Sequence, residues 1–483
     1  MPLPRSDAFA LFVPKVRVMS NLKETIAEDI FFIFDEVFRF KKMGRDAFAG
    51  LDQLEAFCDL PHPSGHGRML CGLAAYEKVT FIARLAGERN ALSGNVTIET
   101  LRKLTEELLV QRFLVERRPI DEKQVDRLLS SVGRASKKKC QDKTHFIPCH
   151  LMATKSPDAF SVGPVTFRNR SNFKSTVASH IRGYAKNEEP KRREHMRQLM
   201  LDALRHYRNF DWVGEIIIEG CDSATSADLA ERTVRSAVNL LHLVFRAKNT
   251  DRMRVGGAAL RVDRRGGLTI NSSGELAPHG SLAWAGQGCF PEDWSEWLRD
   301  KHLQNILRLF GIALETEANP KLKRPISRRI LDAAQWFGDA SRDEQPSNRI
   351  IKFVTALERM VMTDEKQDAT RLVSDRVSAL CCSLEANDRA KWKQEVKDVY
   401  DLRSRLLHGS MSPFDRSVNS MMGKAANLGE ESIIQALLLL GEEALVAEKV
   451  PTRMLAKWYD NFVDHVDTHS AANSPHSQGL DET

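Results

Sequence analysis

Hydrophobic residues in the first 135 positions recur at intervals of three and four, which is the period of one face of an α-helix. The positions are Ile26, Ile30, Ile33, Val37, Leu101, Leu104, Leu108 and Leu109. The intervening stretch CDLPHPSGHGR is rich in Pro and Gly, so it predicts a loop. We therefore predict a helical N-terminal region over residues 1–135.

The pattern changes at about residue 140 to short apolar runs separated by turn residues, which predict β-strands. The runs are THFIPCHLMA, AFSVGPVTFRNR, WVGEIIIEG and GAALRVDRRGGLTIN. Between them, SATSADLAERTVRSAVNLLHLVF has Ser and Thr at its start and Val234, Val238 and Leu241 on one helical face. Residues 140–290 are therefore predicted to form a small α/β domain in which this helix covers one face of the sheet.

Helical periodicity returns at about residue 296 and predicts an all-α bundle over residues 296–466. We expect helices over about 297–316, 328–337, 347–362, 369–384 and 432–466, with another helix ending near His408. The polar stretch at 467–483 predicts a disordered tail. The predicted fold class is α+β with several domains.

The composition indicates a globular protein but does not indicate a particular function. The 483-residue chain is 42% hydrophobic, as expected of a globular protein, and its net charge of +6 permits a nucleic-acid partner without requiring one. The eight cysteines show no disulfide-scaffold spacing, which favours a reducing cytoplasm. The N-terminal sequence lacks a signal-peptide pattern, and no apolar run is long enough to predict a membrane span.

Two groups of residues have the chemistry of metal ligands. Cys140, His145, Cys149 and His150 lie within eleven residues, but they alternate with apolar residues as strand positions do, and no second half of a zinc motif follows. His62 and His66 lie in the predicted loop without a nearby carboxylate or cysteine pattern. We therefore predict no metal and no other cofactor.

The stretch KQEVKDVYDLRSRLLHG carries the most unusual candidate. On a helix its residues Val396, Val399, Tyr400, Leu402, Leu406 and Leu407 form one apolar stripe. Arg403 falls in the middle of this stripe, whereas Arg405 points towards Asp401. A guanidinium is costly to bury alone, so Arg403 needs a carboxylate, a phosphate or a water-filled cleft beside it.

Two neighbouring helices offer alternative pairings for these charges. In NRIIKFVTALERMV, Glu358 falls on the apolar stripe and is the natural partner of Arg403. In DATRLVSDRVSALCC, Arg376 also lies between apolar positions and would compete for Glu358. The sequence alone does not choose between the two arginines.

His408 is predicted to be the last residue of its helix. Gly409 is a favourable residue just after a helix, and Pro413 prevents further continuation. A histidine at this position can act as an acid or a base near neutral pH.

The segments ALERMV, LVSDRVSALC and VYDLRSRLLHG, followed by a long helix, resemble the HEPN superfamily and within it the Apea-like HEPN domains. The resemblance covers about residues 325–465. It implies a helical bundle that dimerises and cleaves RNA with an arginine and a histidine four to six residues apart, here Arg403 and His408. Many active members have Asn, Asp or His after the arginine, where this chain has Ser404.

Glu358, Ser404, Tyr400 and Arg376 are predicted to support Arg403 and His408. The resemblance also implies a role in bacterial antiphage defence, with the N-terminal regions sensing or regulating. His408 would move protons during attack by an RNA 2′-hydroxyl, and Arg403 would stabilise charge at phosphorus without a metal. A homodimer would supply both an acid and a base. The alternative is a non-catalytic dimerisation or interaction module attached to a sensor.

Three basic segments are candidate RNA guides: KRREHMR at 191–197, RAKNTDRMR at 246–254 and KLKRPISRR at 321–329. The last directly precedes the predicted bundle core. Its candidate RNA contacts are Lys323, Arg324, Arg328 and Arg329. For each segment, a solvated loop or helix face is the simpler explanation.

Overall fold

The computed structural model describes residues 15–43, 58–187, 189–256, 262–270, 272–273, 276–284, 294–365, 367–383 and 388–472. Backbone contacts divide the chain into two compact units. The first comprises Met1–Asp142 with Glu219–Ser226, and the second comprises Lys143–Ile218 with Ala227–Thr483. The described residues are mostly helical with a small sheet region, as expected of an α+β protein.

The first unit is a set of helices with one β-hairpin. Its helices are α1 (Lys15–Met43), α2 (Leu73–Arg89), α3 (Ile98–Leu109) and α4 (Glu122–Lys139), and a π-helical segment (Val110–Val115) extends α3. The strands β1 (Cys58–Pro61) and β2 (Arg68–Cys71) pair antiparallel. The prediction of a plain loop here was therefore wrong, because Pro and Gly mark the turn of a hairpin whose strands are only four residues long.

The apolar periodicity of this unit is confirmed by its core. Ile26, Ile30 and Ile33 of α1 are at most 1% exposed and belong to one cluster with Leu101 and Leu109 of α3. The side chain of Thr97 accepts a hydrogen bond from the N–H of Thr100 and so caps α3. The buried positions of α1 and α3 and the cap of α3 therefore match the helical periodicity of the sequence.

The second unit begins with a five-stranded sheet. Its strands are β3 (Gln141–His150), β4 (Ala159–Val162), β5 (Val165–Asn169), β6 (Trp212–Cys221) and β7 (Arg254–Val255), in the order β4-β5-β6-β3-β7. The helix α7 (Ser223–Val244) packs on this sheet as predicted. A Cβ atom at Gly214 of β6 would lie 2.7 Å from Cγ1 of Val234, so only glycine allows this close approach.

Two helices that the sequence analysis did not predict, α5 (Arg170–Asn187) and α6 (Pro190–Tyr207), lie between β5 and β6. The last predicted strand is also placed differently. It forms β8 (Val262–Ile270), which pairs with β9 (Leu276–Trp284) in a separate two-stranded sheet. The first residues of that predicted strand lie outside the described residues.

The C-terminal region is helical, as predicted. After α8 (Ala247–Thr250) and α9 (Trp294–Trp297), the helices are α10 (Lys301–Ala318), α11 (Pro325–Arg342), α12 (Pro346–Val361), α13 (Ala369–Cys381), α14 (Arg389–Leu407), α15 (Arg416–Val446) and α16 (Thr452–Ala472). None of the helices in the described ranges has both the length and the apolar content needed to cross a membrane.

The predicted single helix over 432–466 was wrong. The structure has α15 and α16 there, and Gly441 inside α15 has a φ of +67°, which breaks the helical path. The predicted tail at 467–483 was also too long, because α16 continues to Ala472. Residues 473–483 lie outside the described residues.

A buried polar network joins α7 to α11 within the second unit. His242 is fully buried, and its imidazole contacts Thr250 Oγ1 at 2.7 Å and Arg342 at 3.0 Å. Arg342 also donates to Asn239 and Asp339. Burial, together with the charge of Arg342, lowers the pKa of His242 well below its usual value, so the imidazole is neutral.

Candidate active site

The helix α14 holds the candidate residues and packs against α12, α13 and α15. Val396, Val399 and Leu402 are at most 5% exposed, so the first part of the predicted stripe is buried as expected. The stripe does not stay buried to the helix end, because Leu407 is 50% exposed. The last turn of α14 therefore leaves the core and presents both apolar and polar side chains to solvent.

The end of α14 is fixed by a Schellman motif. His408 is the C-cap residue, and Gly409 follows with a φ of +69°, a left-handed conformation that favours glycine. The N–H of Gly409 donates to Leu406 at 3.3 Å, and the N–H of Ser410 donates to Arg405 at 3.0 Å. The helix thus ends where the sequence predicts, and the exposed His408 side chain has a defined backbone position.

Arg403 lies beside Glu358 of α12, as one of the two predicted pairings requires. Its Nη2 atom lies 3.3 Å from Glu358 Oε2, and each side chain is 24% exposed. The guanidinium also lies 5.6 Å from the centre of the Tyr400 ring. Arg403 is therefore neither fully buried nor free in solvent.

Tyr400 holds Glu358 in place. Its hydroxyl donates to Glu358 Oε1 at 2.7 Å, while Arg403 contacts the other carboxylate oxygen. Burial and the neighbouring Glu358 carboxylate raise the pKa of Tyr400 to about 12. The tyrosine therefore remains a hydrogen-bond donor across the physiological range, and the three side chains form one connected group.

Arg376 does not compete for Glu358. It is 2% exposed, and it contacts Glu365 at 2.8 Å and Asp460 at 2.9 Å. It also donates to the carbonyl of Val361 at 2.9 Å. Its role is to tie α13 to α16 and to the loop after α12, and the choice that the sequence left open is settled in favour of Arg403 for Glu358.

A cleft adjoins the candidate site on the α13–α14 side. Its volume is about 880 Å³, which is within the range of ligand-binding cavities. The residues that line it are Asp368, Ala369, Thr370, Arg371, Ser374, Asp375, Lys393, Lys397, Tyr400, Asp401 and Ser404. Ser404, the residue after Arg403, thus faces a space large enough for a nucleotide.

The sequence analysis missed the lysines of this cleft, although a signal for them was present. Lys393, Lys397, Tyr400 and Ser404 follow one another at intervals of three or four residues, which places them on one helical face. Lys393 forms an ion pair with Asp375 at 2.5 Å, whereas Lys397 has no charged partner among the described residues. The helical face formed by these four residues meets the apolar stripe of α14 at Tyr400, which belongs to both.

The four basic residues at the start of the bundle are not gathered at this site. Arg324 pairs with Glu315 at 2.8 Å, Arg328 pairs with Glu317, and Arg329 donates to the carbonyls of Arg359 and Met362. Lys323 is exposed. Three of the four candidate RNA contacts therefore already take part in intramolecular pairs.

The described residues contain no cluster of three or more His, Cys, Asp or Glu side chains that could hold a metal ion. Cys149 and His150 are both buried in the sheet region. Burial raises the pKa of the Cys149 thiol to about 12, so it carries its proton. His62 lies in the β1–β2 turn, where its ring contacts Ser64 Oγ at 2.7 Å.

Comparisons with known proteins gave no match to a family model, to a curated protein or to a solved structure. The functional interpretation of this chain therefore rests on its own residues and on the motif resemblance described above.

Proposed function

We propose that this protein is an endoribonuclease of the HEPN type, with Arg403 and His408 as its catalytic residues. The observation that carries the proposal is their setting at the end of α14. Arg403 is one-quarter exposed and has one carboxylate partner among the described residues, and an exposed histidine follows at a backbone position fixed by a Schellman motif. A role in antiphage defence rests on the motif resemblance alone.

The proposed chemistry needs no group beyond the substrate and these side chains. His408 takes the proton from an RNA 2′-hydroxyl or returns one to the 5′-oxygen that leaves. Arg403 faces the phosphate and stabilises the negative charge that develops there. The connected group of Tyr400 and Glu358 orients Arg403, so these two act as positioning residues.

One histidine cannot serve as base and acid in the same transfer, so the proposal includes a homodimer that brings two motifs together. Exposed apolar side chains near the motif support an interface there. Leu407 is 50% exposed and Phe414, six residues after His408, is 88% exposed. Burying such side chains against a second copy would remove apolar surface from water.

The second candidate function is a non-catalytic interaction module. The observations that favour it are the Arg403–Glu358 ion pair, which gives Arg403 a structural role without any substrate, and the exposed Leu407 and Phe414, which suit a docking surface. The two functions differ in whether His408 is needed for any reaction.

The deciding experiment is RNA cleavage by the purified full-length protein in EDTA. We compare wild type with Arg403→Ala, His408→Ala and the control Arg405→Ala, whose side chain is 48% exposed and lies 3.9 Å from Asp401. Loss of either catalytic group is expected to slow cleavage by roughly 100-fold or more, whereas Arg405→Ala retains wild-type cleavage. Equal cleavage by all four proteins, or no cleavage by any, would overturn the proposal.

A further inference from the structure

The helical hairpin formed by α5 and α6 carries a charge out of proportion to its size. Residues 170–208 contain ten Lys and Arg residues against four Asp and Glu residues, a net charge of +6. This equals the net charge of the whole 483-residue chain. A local excess of this kind is the electrostatic footprint of a polyanionic partner.

The hairpin is also poorly packed for a pair of 18-residue helices. Among residues 192–207 of α6, none is buried, and Leu199 and Leu201 are 50% and 42% exposed. In α5, the described side chains at 170–183 include one buried residue, Phe173. Helices gain most of their stability by burying an apolar face, so α6 has surface available for a partner.

A groove of about 560 Å³ runs between the two helices and combines these features. Its apolar floor contains Phe173, Ile181, Leu201 and Leu204, and its remaining lining residues are Arg170, Lys174, Ala178, Arg182, Arg205, Tyr207 and Arg208. Among the described residues, the lining therefore includes five cationic side chains and no acidic one.

Three of the five cations have no acidic partner among the described residues. Arg170 pairs with Asp211 and Arg205 pairs with Asp202, each at 2.6 Å. Lys174, Arg182 and Arg208 form no such pair within the described chain, and all three are exposed. The charge on the rim of the groove is therefore available to an anion from outside.

We propose that this groove binds single-stranded nucleic acid, with phosphates against Lys174, Arg182 and Arg208 and base faces against the apolar floor. A single strand offers both features at once, since its phosphates are regularly spaced and its unpaired bases expose apolar faces. That the strand is RNA rests on the proposed function; the binding itself does not. The groove would then hold the strand to be cleaved at a surface separate from the catalytic motif.

The test measures binding without cleavage. A fluorescein-labelled 20-nucleotide 2′-O-methyl RNA lacks the 2′-hydroxyl, so its fluorescence anisotropy reports binding to the full-length wild-type protein whether or not the protein is a ribonuclease. The variant Lys174→Glu/Arg182→Glu/Arg208→Glu is expected to raise Kd at least tenfold at 50 mM KCl. It should also reduce the slope of log K against log [KCl] by about 2, because each phosphate contact on a single strand contributes about 0.7.

A matched control separates the groove from general charge. Arg192→Glu/Arg193→Glu/Arg197→Glu makes the same charge change on α6 outside the groove lining, and it is expected to change Kd less than threefold. Leu201→Gln, at an exposed floor position, should weaken binding severalfold while leaving the salt slope unchanged. Circular dichroism melting of each variant checks that the hairpin remains folded.

Equal losses in the two triple variants would show general attraction to charge and would overturn the groove as a site. No loss in either, or groove-dependent binding to vesicles of equal phosphatidylglycerol and phosphatidylcholine without RNA binding, would also overturn it. If His408→Ala still cleaves RNA while the groove variant fails to bind, the proposed function fails and this inference stands. If the groove variant binds RNA as wild type does while His408→Ala no longer cleaves it, this inference fails and the proposed function stands.

Discussion

Arg376 and Arg403 lie on neighbouring helices of one bundle and give the same signal in the sequence, an arginine within an apolar stripe. Their surroundings differ. Arg376 is 2% exposed and contacts two carboxylates, a backbone carbonyl and the ring of Tyr459. Arg403 is 24% exposed and has one carboxylate and one ring beside it.

The difference shows how a structural arginine can be told from a candidate functional one. A buried guanidinium must have its charge compensated by the protein, and Arg376 has partners on several sides. Arg403 is compensated by one carboxylate, that of Glu358, and its side chain is 24% exposed, which suits a group that meets an anionic substrate. The stripe pattern alone cannot make this distinction, because both residues satisfy it equally.

The largest difference is expected when each arginine is replaced by methionine. Arg376→Met removes the partner of Glu365 and leaves the carbonyl of Val361 without its donor, so unfolding free energy should fall by about 3 kcal/mol. Arg403→Met should cost about 1 kcal/mol or less, since its ion pair is partly exposed. Urea unfolding at pH 7 measures both, and equal costs would remove the distinction between the two sites.

The pH dependence of stability gives a second contrast. Burial alone would raise the pKa of Glu365, but contacts from Arg376 and Thr363 outweigh it and lower the pKa to about 2. A carboxyl whose pKa is lower in the folded state stabilises the protein above its unfolded pKa of about 4.5, and that stability is lost as the pH falls towards 2. At pH 7, the unfolding free energy of wild type should exceed that of Glu365→Gln by about 2 kcal/mol, after allowance for the partial exposure of Glu365.

The control for this prediction is Asp364→Asn, which changes the neighbouring exposed carboxylate. Thermal unfolding between pH 2 and pH 7 should show the gap between wild type and Glu365→Gln closing at low pH, and no such closing for the control. A gap that stays constant with pH would mean that the Arg376–Glu365 contact does not depend on the charge of Glu365.

The smallest expected changes in unfolding free energy come from replacing Tyr400 and Glu358, the two side chains that hold Arg403 in place. Tyr400→Phe and Glu358→Gln should each lower unfolding free energy by about 1 kcal/mol, because each removes part of one connected group. The double variant should cost less than the sum, since the two side chains share a 2.7 Å hydrogen bond. Urea unfolding of the four proteins in a double-mutant cycle measures this coupling, and strict additivity would contradict it.

Features set by neighbouring residues could be predicted from the sequence. The end of α14 follows from Gly409 and Pro413, and helical projection found the Arg403–Glu358 pair because both residues interrupt regular stripes. The partners of Arg376 could not be found in this way. Asp460 is 84 residues distant along the chain, and Glu365 lies in a loop, where no helical period applies.

The α5–α6 hairpin shows where hydrophobic periodicity fails to predict an element. Its apolar residues form only a weak stripe along each helix, and the structure buries few of them. Charged residues are interspersed among them, so a helical period is not apparent in the sequence. The strand predictions on either side, β5 and β6, were correct because their alternation reflects a buried sheet face. Periodicity predicts elements that pack within the chain better than those that face solvent or a partner.

The central claim is that Arg403 and His408 form an RNA-cleaving site that uses the substrate 2′-hydroxyl. The most direct measurement is cleavage of an RNA oligonucleotide and of the same oligonucleotide with one 2′-deoxy nucleotide at the mapped cut, by wild type and by His408→Ala. The account predicts 2′,3′-cyclic phosphate ends from wild type, no cut at the deoxy position, and cleavage by His408→Ala that is slower by roughly 100-fold or more. Cleavage at the deoxy position, or undiminished cleavage by His408→Ala, would contradict it.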